Sequence, residues 1–247
     1  MEKKGKKHNK IKNHHRVNDI LLGPLERPAI AWLVERMPQW VTPDHLTFLG
    51  FAAAILIGVS YYLTNFNKNY FWLADLGFIL NWFGDSLDGN LARFRKTERP
   101  RYGFFIDHTV DTISEVCIFI GIGLSPYVDL NLALLALVGY LCMASLVYIT
   151  TSVEGEFKIS YGKLGPTEAR VIAMMANTII YFIGNPLLNL IWFDVYLYNL
   201  ILIFIITLLF FFFITSVISQ AIKYERKDRK KYLKKMQKNK KSQINSE

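Results

Sequence analysis

Long apolar stretches constrain the fold of this chain more than any other feature of its sequence. They lie at 45–64, 71–92, 104–124, 131–152, 168–191 and 197–222. Each is close to the ~20 residues that an α-helix needs to cross the hydrocarbon core of a bilayer. Because 52% of the 247 residues are hydrophobic and are grouped in this way, we expect an all-α integral membrane protein with six transmembrane helices.

The polar segments around these stretches predict the remaining organisation. The start of the chain is rich in Lys and His and is expected to be disordered. Before the first span, apolar residues alternate with the charged pairs Glu26/Arg27 and Glu35/Arg36, which is typical of an amphipathic helix lying in the membrane interface. The expected regions are a basic N-terminal segment (1–24), the interfacial helix (25–40), a six-helix transmembrane domain (41–222) and a basic tail (223–247).

The distribution of Lys and Arg predicts the orientation. The N-terminal segment, residues 93–101 and the tail are strongly basic, and Lys158 and Lys163 add charge to the segment between the fourth and fifth spans. The opposite connections carry few charges, namely Lys68, Asp129 and Asp194. Since positive loops favour the cytosol, both termini are expected there. The net charge of +9 also favours contact with anionic lipid.

Targeting and cysteine usage add two smaller expectations. No secretory signal peptide is expected, because the basic start is not followed directly by an apolar core and a cleavage site. Cys117 and Cys142 lie inside apolar stretches, so we expect them to pack as small residues and not to form a disulfide.

Carboxylates inside two of the apolar stretches are the most informative residues. The second stretch contains Asp85 and Asp88, and the third contains Asp107 and Asp111. Acids within a membrane are costly and usually mark an ion, proton or substrate site. The members of each pair are three or four residues apart and share one helical face. Because a basic linker joins the two helices as a hairpin, all four carboxylates are expected to meet at a similar depth.

Four clustered negative charges need compensation in such a place. Only Arg93 and His108 are near enough in sequence to supply positive charge, and they are too few. Divalent cations that prefer oxygen ligands, Mg²⁺ or Mn²⁺, are therefore expected.

Small residues accompany the acids. Gly89 and Ala92 follow the first pair, and Gly103 lies one turn before Asp107. They predict a gap between helices where a bulky ligand approaches the backbone. Close packing of helices is the alternative explanation, since small residues are common at helix contacts in membranes.

Together these residues resemble the motif of the CDP-alcohol phosphotransferase family, Asp-x2-Asp-Gly-x2-Ala-Arg-x8-Gly-x3-Asp-x3-Asp. The matching positions are Asp85, Asp88, Gly89, Ala92, Arg93, Gly103, Asp107 and Asp111. One departure is visible, because nine residues separate Arg93 from Gly103 where the family pattern has eight. The run 41–50 also resembles the start of the family's first span. Eight fixed positions at defined spacing are a specific signal.

The resemblance implies a transferase of phospholipid biosynthesis. Two metal ions would be held by Asp85, Asp88, Asp107 and Asp111, and would bridge the diphosphate of the CDP-alcohol donor. Asp111 would be the general base that takes the proton of the acceptor hydroxyl. CMP would leave, with its cytidine near Gly89, Ala92 and Gly103, and Arg93 would assist the charge balance. The site would face the cytosol; family members are often homodimers, and no nucleic-acid partner is expected.

A finer resemblance concerns the choline/ethanolamine phosphotransferase branch. His108 and Glu168 lie where that branch has a His and a Glu that serve the hydroxyl of a neutral lipid. The hypothesis is that these two residues activate a diacylglycerol-like acceptor, with Asp111 mainly a metal ligand. The alternative is that His108 is a packed residue and that Glu168 pairs with Arg170 or caps its helix.

Two substrate pairs remain open from the sequence. The first is a CDP-amino-alcohol donor with a neutral lipid acceptor. The second is CDP-diacylglycerol with a small polar alcohol, whose phosphorylated forms would require basic residues such as Arg170, Lys158 and Lys163 facing the cavity. A cation transporter is a distant third hypothesis. It predicts acids on both sides of the membrane midplane, for which Asp75 is the one candidate in the second span.

Overall fold

The computed structural model describes residues 21–154, 165–189 and 194–244, which form seven α-helices and one two-stranded antiparallel sheet. The helices are α1 Gly23–Glu35, α2 Pro43–Leu63, α3 Tyr70–Phe94, α4 Pro100–Gly123, α5 Leu130–Glu154, α6 Pro166–Ile183 and α7 Leu197–Ile244. The strands are β1 Leu187–Asn189 and β2 Asp194–Tyr196, with Leu188 opposite Val195. Residues 1–20 of the predicted N-terminal segment (1–24) lie outside the described residues. So do Lys158 and Lys163.

Three helices that meet at one end of the molecule begin with proline. The first residues of α2, α4 and α6 are Pro43, Pro100 and Pro166. At the first position of a helix the backbone N–H has no partner within the helix, so proline loses no hydrogen bond there, and its φ angle is already helical. Thr42 and His45 also form a reciprocal cap at the start of α2. These local signals fix where the helices start, and therefore the depth of the residues one or two turns further on.

Glycines bring α2, α3 and α4 into backbone contact. A Cβ atom on Gly84 of α3 would lie 2.5 Å from the carbonyl oxygen of Leu46, and one on Gly58 of α2 would lie 2.5 Å from that of Cys117 in α4. Such contacts are open only to residues without a side chain. The α3–α2 contact lies directly beside Asp85 and Asp88.

Two clusters of buried side chains hold the bundle. At the end near the acids, Val34 of α1 packs with Leu46, Leu87 and Leu91. At the other end, aromatic residues dominate a larger cluster: Tyr61, Phe71 and Phe78, with Ile180 of α6 and Tyr198 of α7.

Asp75 belongs to a polar chain inside the second cluster. Its carboxylate accepts a hydrogen bond of 2.7 Å from Asn177, whose amide oxygen accepts one of 2.8 Å from the Tyr61 hydroxyl. Asp75 therefore joins α3 to α6 and α2 through hydrogen bonds.

Three of the described helices are long and apolar enough to cross a membrane: α2, α5 and the part of α7 from Leu197 to Gln237. Most apolar side chains of α7 are exposed, as expected for contact with lipid. The chain is thus an integral membrane protein. Helices α3 and α4 have 25 and 24 residues, but their acidic and basic residues lower their hydropathy.

The bounds of three elements differ from those expected. Helix α1 ends at Glu35 and not near residue 40, because Arg95 donates hydrogen bonds to the carbonyl oxygens of Met37, Pro38 and Val41 in the following turn.

Helix α6 ends at Ile183 and not at 191, since Gly184 has a φ of 78° and the chain continues into β1. Helix α7 continues through the basic tail to Ile244, well beyond residue 222. No glycine or proline interrupts it, and its Lys, Arg and Gln residues favour helix.

Candidate functional site

A cavity of about 530 Å³ opens at the end of the bundle where α1, α3, α4 and α6 meet. All four predicted aspartates line it, together with Gly89, Arg93, His108 and Arg170. The predicted hairpin of α3 and α4 therefore brings Asp85, Asp88, Asp107 and Asp111 around one space.

Asp88 is held from α2. It is 7% exposed, and its Oδ2 accepts a hydrogen bond of 2.7 Å from the Thr47 hydroxyl. Asp107 and Asp85 are near enough to repel its charge. Thr47 thus orients a carboxylate that its neighbours would otherwise push away.

Asp85 is paired with Arg170 of α6. The guanidinium Nη2 donates to Oδ2 of Asp85 at 2.6 Å, and Nε donates to the side-chain oxygen of Asn81 at 2.8 Å. Asn81 in turn donates to the carbonyl oxygen of Gly50 at 2.9 Å. One amide therefore links three helices and aims the arginine at the acids. Arg170 pairs with Asp85, and not with Glu168 as one sequence alternative had it.

Asp111 lies in the same electrostatic cluster. Asp85 and Asp107 repel its charge, and Arg170 attracts it. One turn further along α4, Glu115 also faces Arg170 and accepts a hydrogen bond from Tyr140 of α5. A single guanidinium thus offsets several carboxylates.

The carboxylates suit a hard divalent cation by chemistry, since Mg²⁺ and Mn²⁺ prefer oxygen ligands. Within residues 21–154, 165–189 and 194–244, no three Asp, Glu, His or Cys side chains converge on a point that could hold a metal ion. In this arrangement Arg170 engages Asp85. The carboxylates are thus of the ligand type that these ions prefer, while in their present positions one of them, Asp85, is balanced by Arg170.

A second, smaller cavity of about 60 Å³ lies beside the first. It is lined by Gly89, Ala92 and Gly103, with Asp88 and Asp107 shared between the two spaces. The motif's small residues and its acids therefore form one continuous surface.

Close helix packing does not explain these glycines. A Cβ atom on Gly103 would meet no heavy atom within 4 Å, and the three atoms nearest to one on Gly89 would belong to the flexible Arg93 guanidinium, at 3.5 Å or more. Gly84, in contrast, is packed against backbone. Gly89 and Gly103 leave open space beside the acids, as the ligand interpretation expects.

His108 lines the larger cavity and is also packed. Its ring lies 4.2 Å from that of Phe104 and 5.0 Å from that of Tyr148, measured between centroids. It is therefore within reach of a ligand in the cavity while held by two aromatic neighbours.

Glu168 has a different environment. It is 4% exposed, its Oε1 accepts the Leu22 N–H at 2.7 Å and its Oε2 accepts the Gly165 N–H at 2.8 Å. It caps α6 and holds the start of α1, and it is not among the residues that line the cavity. The structure thus brings His108 to the cavity and turns Glu168 toward backbone.

The contributors to the site that were missed from the sequence include Glu26, Thr47 and Asn81. Thr47 lies in the run that resembles the family's first span, and Asn81 is a polar residue one turn before Asp85, so both carried a usable signal. Glu26 was assigned to the charged face of an interfacial helix. Its Oε1 instead accepts hydrogen bonds from Trp82, Ser86 and Thr167 at 2.9, 3.1 and 2.9 Å.

Comparison with known proteins gives a consistent result. Residues 40–215 match the family model described as CDP-alcohol phosphatidyltransferase. An archaetidylinositol phosphate synthase of Pyrococcus horikoshii is 32% identical over 118 residues, which cover 46% of this chain and 60% of that protein. Cholinephosphotransferase 1 of Gallus gallus is 29% identical over 174 residues, 67% of this chain and 51% of that protein.

A phosphatidylinositol phosphate synthase of Cutibacterium acnes is 36% identical over 84 residues, 34% of this chain and 38% of that protein. The chain therefore spans between 38% and 60% of the length of these three relatives. The family match covers the helices that carry the acids and Arg170, and the whole lining of the smaller cavity, whereas the α1 side of the larger cavity precedes it. On this evidence, the chain belongs to the CDP-alcohol phosphatidyltransferase family.

Proposed function

We propose that this protein transfers a substituted phosphate group from a CDP-alcohol to an acceptor hydroxyl, with release of CMP. The observation that carries the proposal is the meeting of four motif aspartates around one cavity, next to open space at Gly89 and Gly103. The oxygen of the acceptor forms the new bond to phosphorus, the bond from phosphorus to CMP breaks, and the acceptor's proton passes to a base.

The residues divide this work by position. Asp111 faces the larger cavity and is proposed to take the proton. Gly89, Ala92 and Gly103 are proposed to receive the cytidine, with Arg93 at the rim. Asp85, Asp88, Asp107 and Asp111 are proposed to hold two Mg²⁺ or Mn²⁺ ions, which when bound would neutralise charge on the diphosphate.

Two substrate pairs are favoured by different observations. A CDP-amino-alcohol with a diacylglycerol acceptor is our first proposal, because the match to cholinephosphotransferase 1 covers 67% of this chain and His108 faces the cavity. CDP-diacylglycerol with a small phosphorylated alcohol is the second. Arg170 favours it, since its Nη1 is buried and has no hydrogen-bond partner among the described residues.

The topology is part of the proposal. We infer that α3, α4 and α6 also cross the membrane, which gives six spans with both termini and the cavity on the cytosolic side. The basic residues at 93–101 and in the tail support this orientation. A homodimer, as is common in the family, is proposed as the functional form.

The test is CMP release by the purified protein with Mg²⁺ or Mn²⁺. Donors and acceptors are paired: CDP-choline or CDP-ethanolamine with diacylglycerol, and CDP-diacylglycerol with inositol phosphate or glycerol phosphate. We expect release with one set only, and a loss of about 10²–10⁴-fold in Asp111→Asn, the range for removal of a general base.

Asp129→Asn is the matched control. Asp129 accepts the Asn131 N–H at the opposite end of the bundle, and asparagine keeps that acceptor. Wild-type rates in Asp111→Asn, or no release with any pair from folded protein, would contradict the proposed function.

A further inference from the structure

Helix α1 forms one complete wall of the larger cavity. The residues that it contributes recur along one helical face, from Gly23 through Glu26, Ile30 and Val34. Because the helix packs against the C-terminal part of α3 beside the acids, its position affects how much water reaches them.

This wall is fastened at both ends. At its start, the Glu168 carboxylate accepts the Leu22 N–H. After its end, the Arg95 guanidinium donates to four carbonyl oxygens of the following turn. Both contacts are made to backbone atoms of the residues that flank α1. They therefore hold the two ends of the helix and leave the orientation of its side chains over the cavity to other contacts.

Between these two ends, the first turn of α1 is held by the side chain of Glu26. One carboxylate oxygen accepts three donors, Trp82 and Ser86 from α3 and Thr167 from α6. Ser86 adjoins Asp85, and Thr167 lies one turn before Arg170, which pairs with Asp85. Glu26 therefore ties the wall to the two helices that carry this ion pair. Hydrogen bonds to a charged acceptor are stronger than neutral ones.

We propose that Glu26 is a positioning residue that keeps α1 closed over the cavity, and so makes the enzyme choose the acceptor hydroxyl over water. The inference rests on the proposed transferase function. Without the wall, water occupies the acceptor's place. Its oxygen then bonds to phosphorus, the bond to CMP breaks, and the products are CMP and a free phosphomonoester.

The experiment measures both products of the full-length protein in nanodiscs. With CDP-choline and diacylglycerol they are phosphatidylcholine and phosphocholine; with CDP-diacylglycerol and inositol phosphate they are phosphatidylinositol phosphate and phosphatidic acid. In Glu26→Ala we expect the ratio of hydrolysis to transfer to rise about tenfold, the effect of losing one charged hydrogen-bond cluster.

Conservative variants separate this role from simple loss of folding. Glu26→Gln keeps an acceptor oxygen, so its ratio of hydrolysis to transfer should stay within about threefold of the wild-type ratio. Thr167→Val removes one donor and should shift the ratio in the same direction by less. Thr109→Val is the control, because the exposed Thr109 hydroxyl donates a hydrogen bond to the Phe105 carbonyl of its own helix.

A second readout needs no activity. Val34 lies on the buried face of α1 and is 5% exposed, so a cysteine there, in a Cys117→Ala, Cys142→Ala background, should react slowly with a maleimide. Glu26→Ala should speed this labelling about tenfold, in line with the loss of its hydrogen bonds.

An unchanged labelling rate in Glu26→Ala, or an unchanged product ratio, would overturn the proposal. If wild-type protein releases no CMP with any donor, the transferase function fails, and labelling alone decides whether Glu26 holds α1.

Discussion

Gly84 precedes the first pair of acids in sequence and Gly103 precedes the second, but the two glycines have opposite surroundings. Gly84 faces the backbone of α2, where a Cβ atom would lie 2.5 Å from the Gly50 nitrogen, whereas Gly103 faces open space in the smaller cavity. The same substitution at these two positions should therefore affect different properties of the protein.

Gly84→Ala is expected to lower the free energy of unfolding by about 1–3 kcal/mol, the usual cost of overpacking. Gly103→Ala should leave stability unchanged or slightly higher, since alanine favours helix by up to ~1 kcal/mol. It should nevertheless reduce kcat/KM by at least about tenfold, because the added methyl group occupies the space proposed for the donor. Thermal unfolding in detergent and CMP release measure the two effects. A stable Gly84→Ala or a fully active Gly103→Ala would contradict this assignment.

Among individual residues, the four aspartates could be predicted from the sequence more readily than the residues that hold them in place. Aspartates inside apolar helices are informative on their own, because burial of charge is costly wherever the helix packs. Glu26 and Asn81 are informative only once their neighbours are known, since α1 and α6 reach the site from far away in the chain. Glu168 shows that a residue can also be given a role at the site that its position does not require. A Glu three residues into a helix can cap the helix as well as contact a ligand.

Helix α6 is the element whose end depends on one residue. Gly184 has a φ of 78°, a conformation that side chains with a Cβ atom rarely adopt, and nothing lies within 4 Å of the place where a Cβ would be. The cost of a substitution there is therefore backbone strain and not steric contact.

Gly184→Ala is expected to destabilise the protein by about 1–3 kcal/mol, the range for a residue forced into a sparsely populated backbone region. The melting temperature in detergent measures it, with Gly103→Ala as a control in which the same change should not destabilise. An unchanged melting temperature in Gly184→Ala would show that α6 ends for another reason.

The element boundaries show what local signals can predict. The starts of α2, α4 and α6 follow from proline and capping residues, which act within one turn. The end of α6 was predicted too late, because an apolar run does not reveal a residue with positive φ. The length of α7 was underestimated. A change from apolar to basic composition indicates where a helix leaves the membrane, and the helix itself can continue into water.

In the whole molecule, α3 and α4 run beside α2 from end to end. Near one end the rings of Tyr61 and Phe71 are 6.1 Å apart, and Asn65 after α2 donates to the Leu124 carbonyl after α4 at 2.8 Å. Near the other end Thr47 contacts Asp88. If α2 crosses the membrane, its two neighbours of similar length are expected to cross as well.

Single cysteines in the connections at either end of α3 test this topology. In a cysteine-free background, Asn67→Cys and Glu98→Cys should react with an impermeant maleimide from opposite sides, with Glu98→Cys on the cytosolic side. Labelling of both from one side would mean that α3 does not cross, and the six-span proposal would be wrong.

The pairing of Arg170 with Asp85 bears on when the proposed metal ions would have to bind. A domain whose ligands have no internal counter-charge folds only when the ion arrives, as small zinc domains do. Here a guanidinium already balances part of the acidic cluster, so folding and membrane insertion need not wait for a divalent cation. For the proposed two-metal site, a shortage of the ion is therefore expected to slow turnover while leaving the amount of protein in the membrane unchanged.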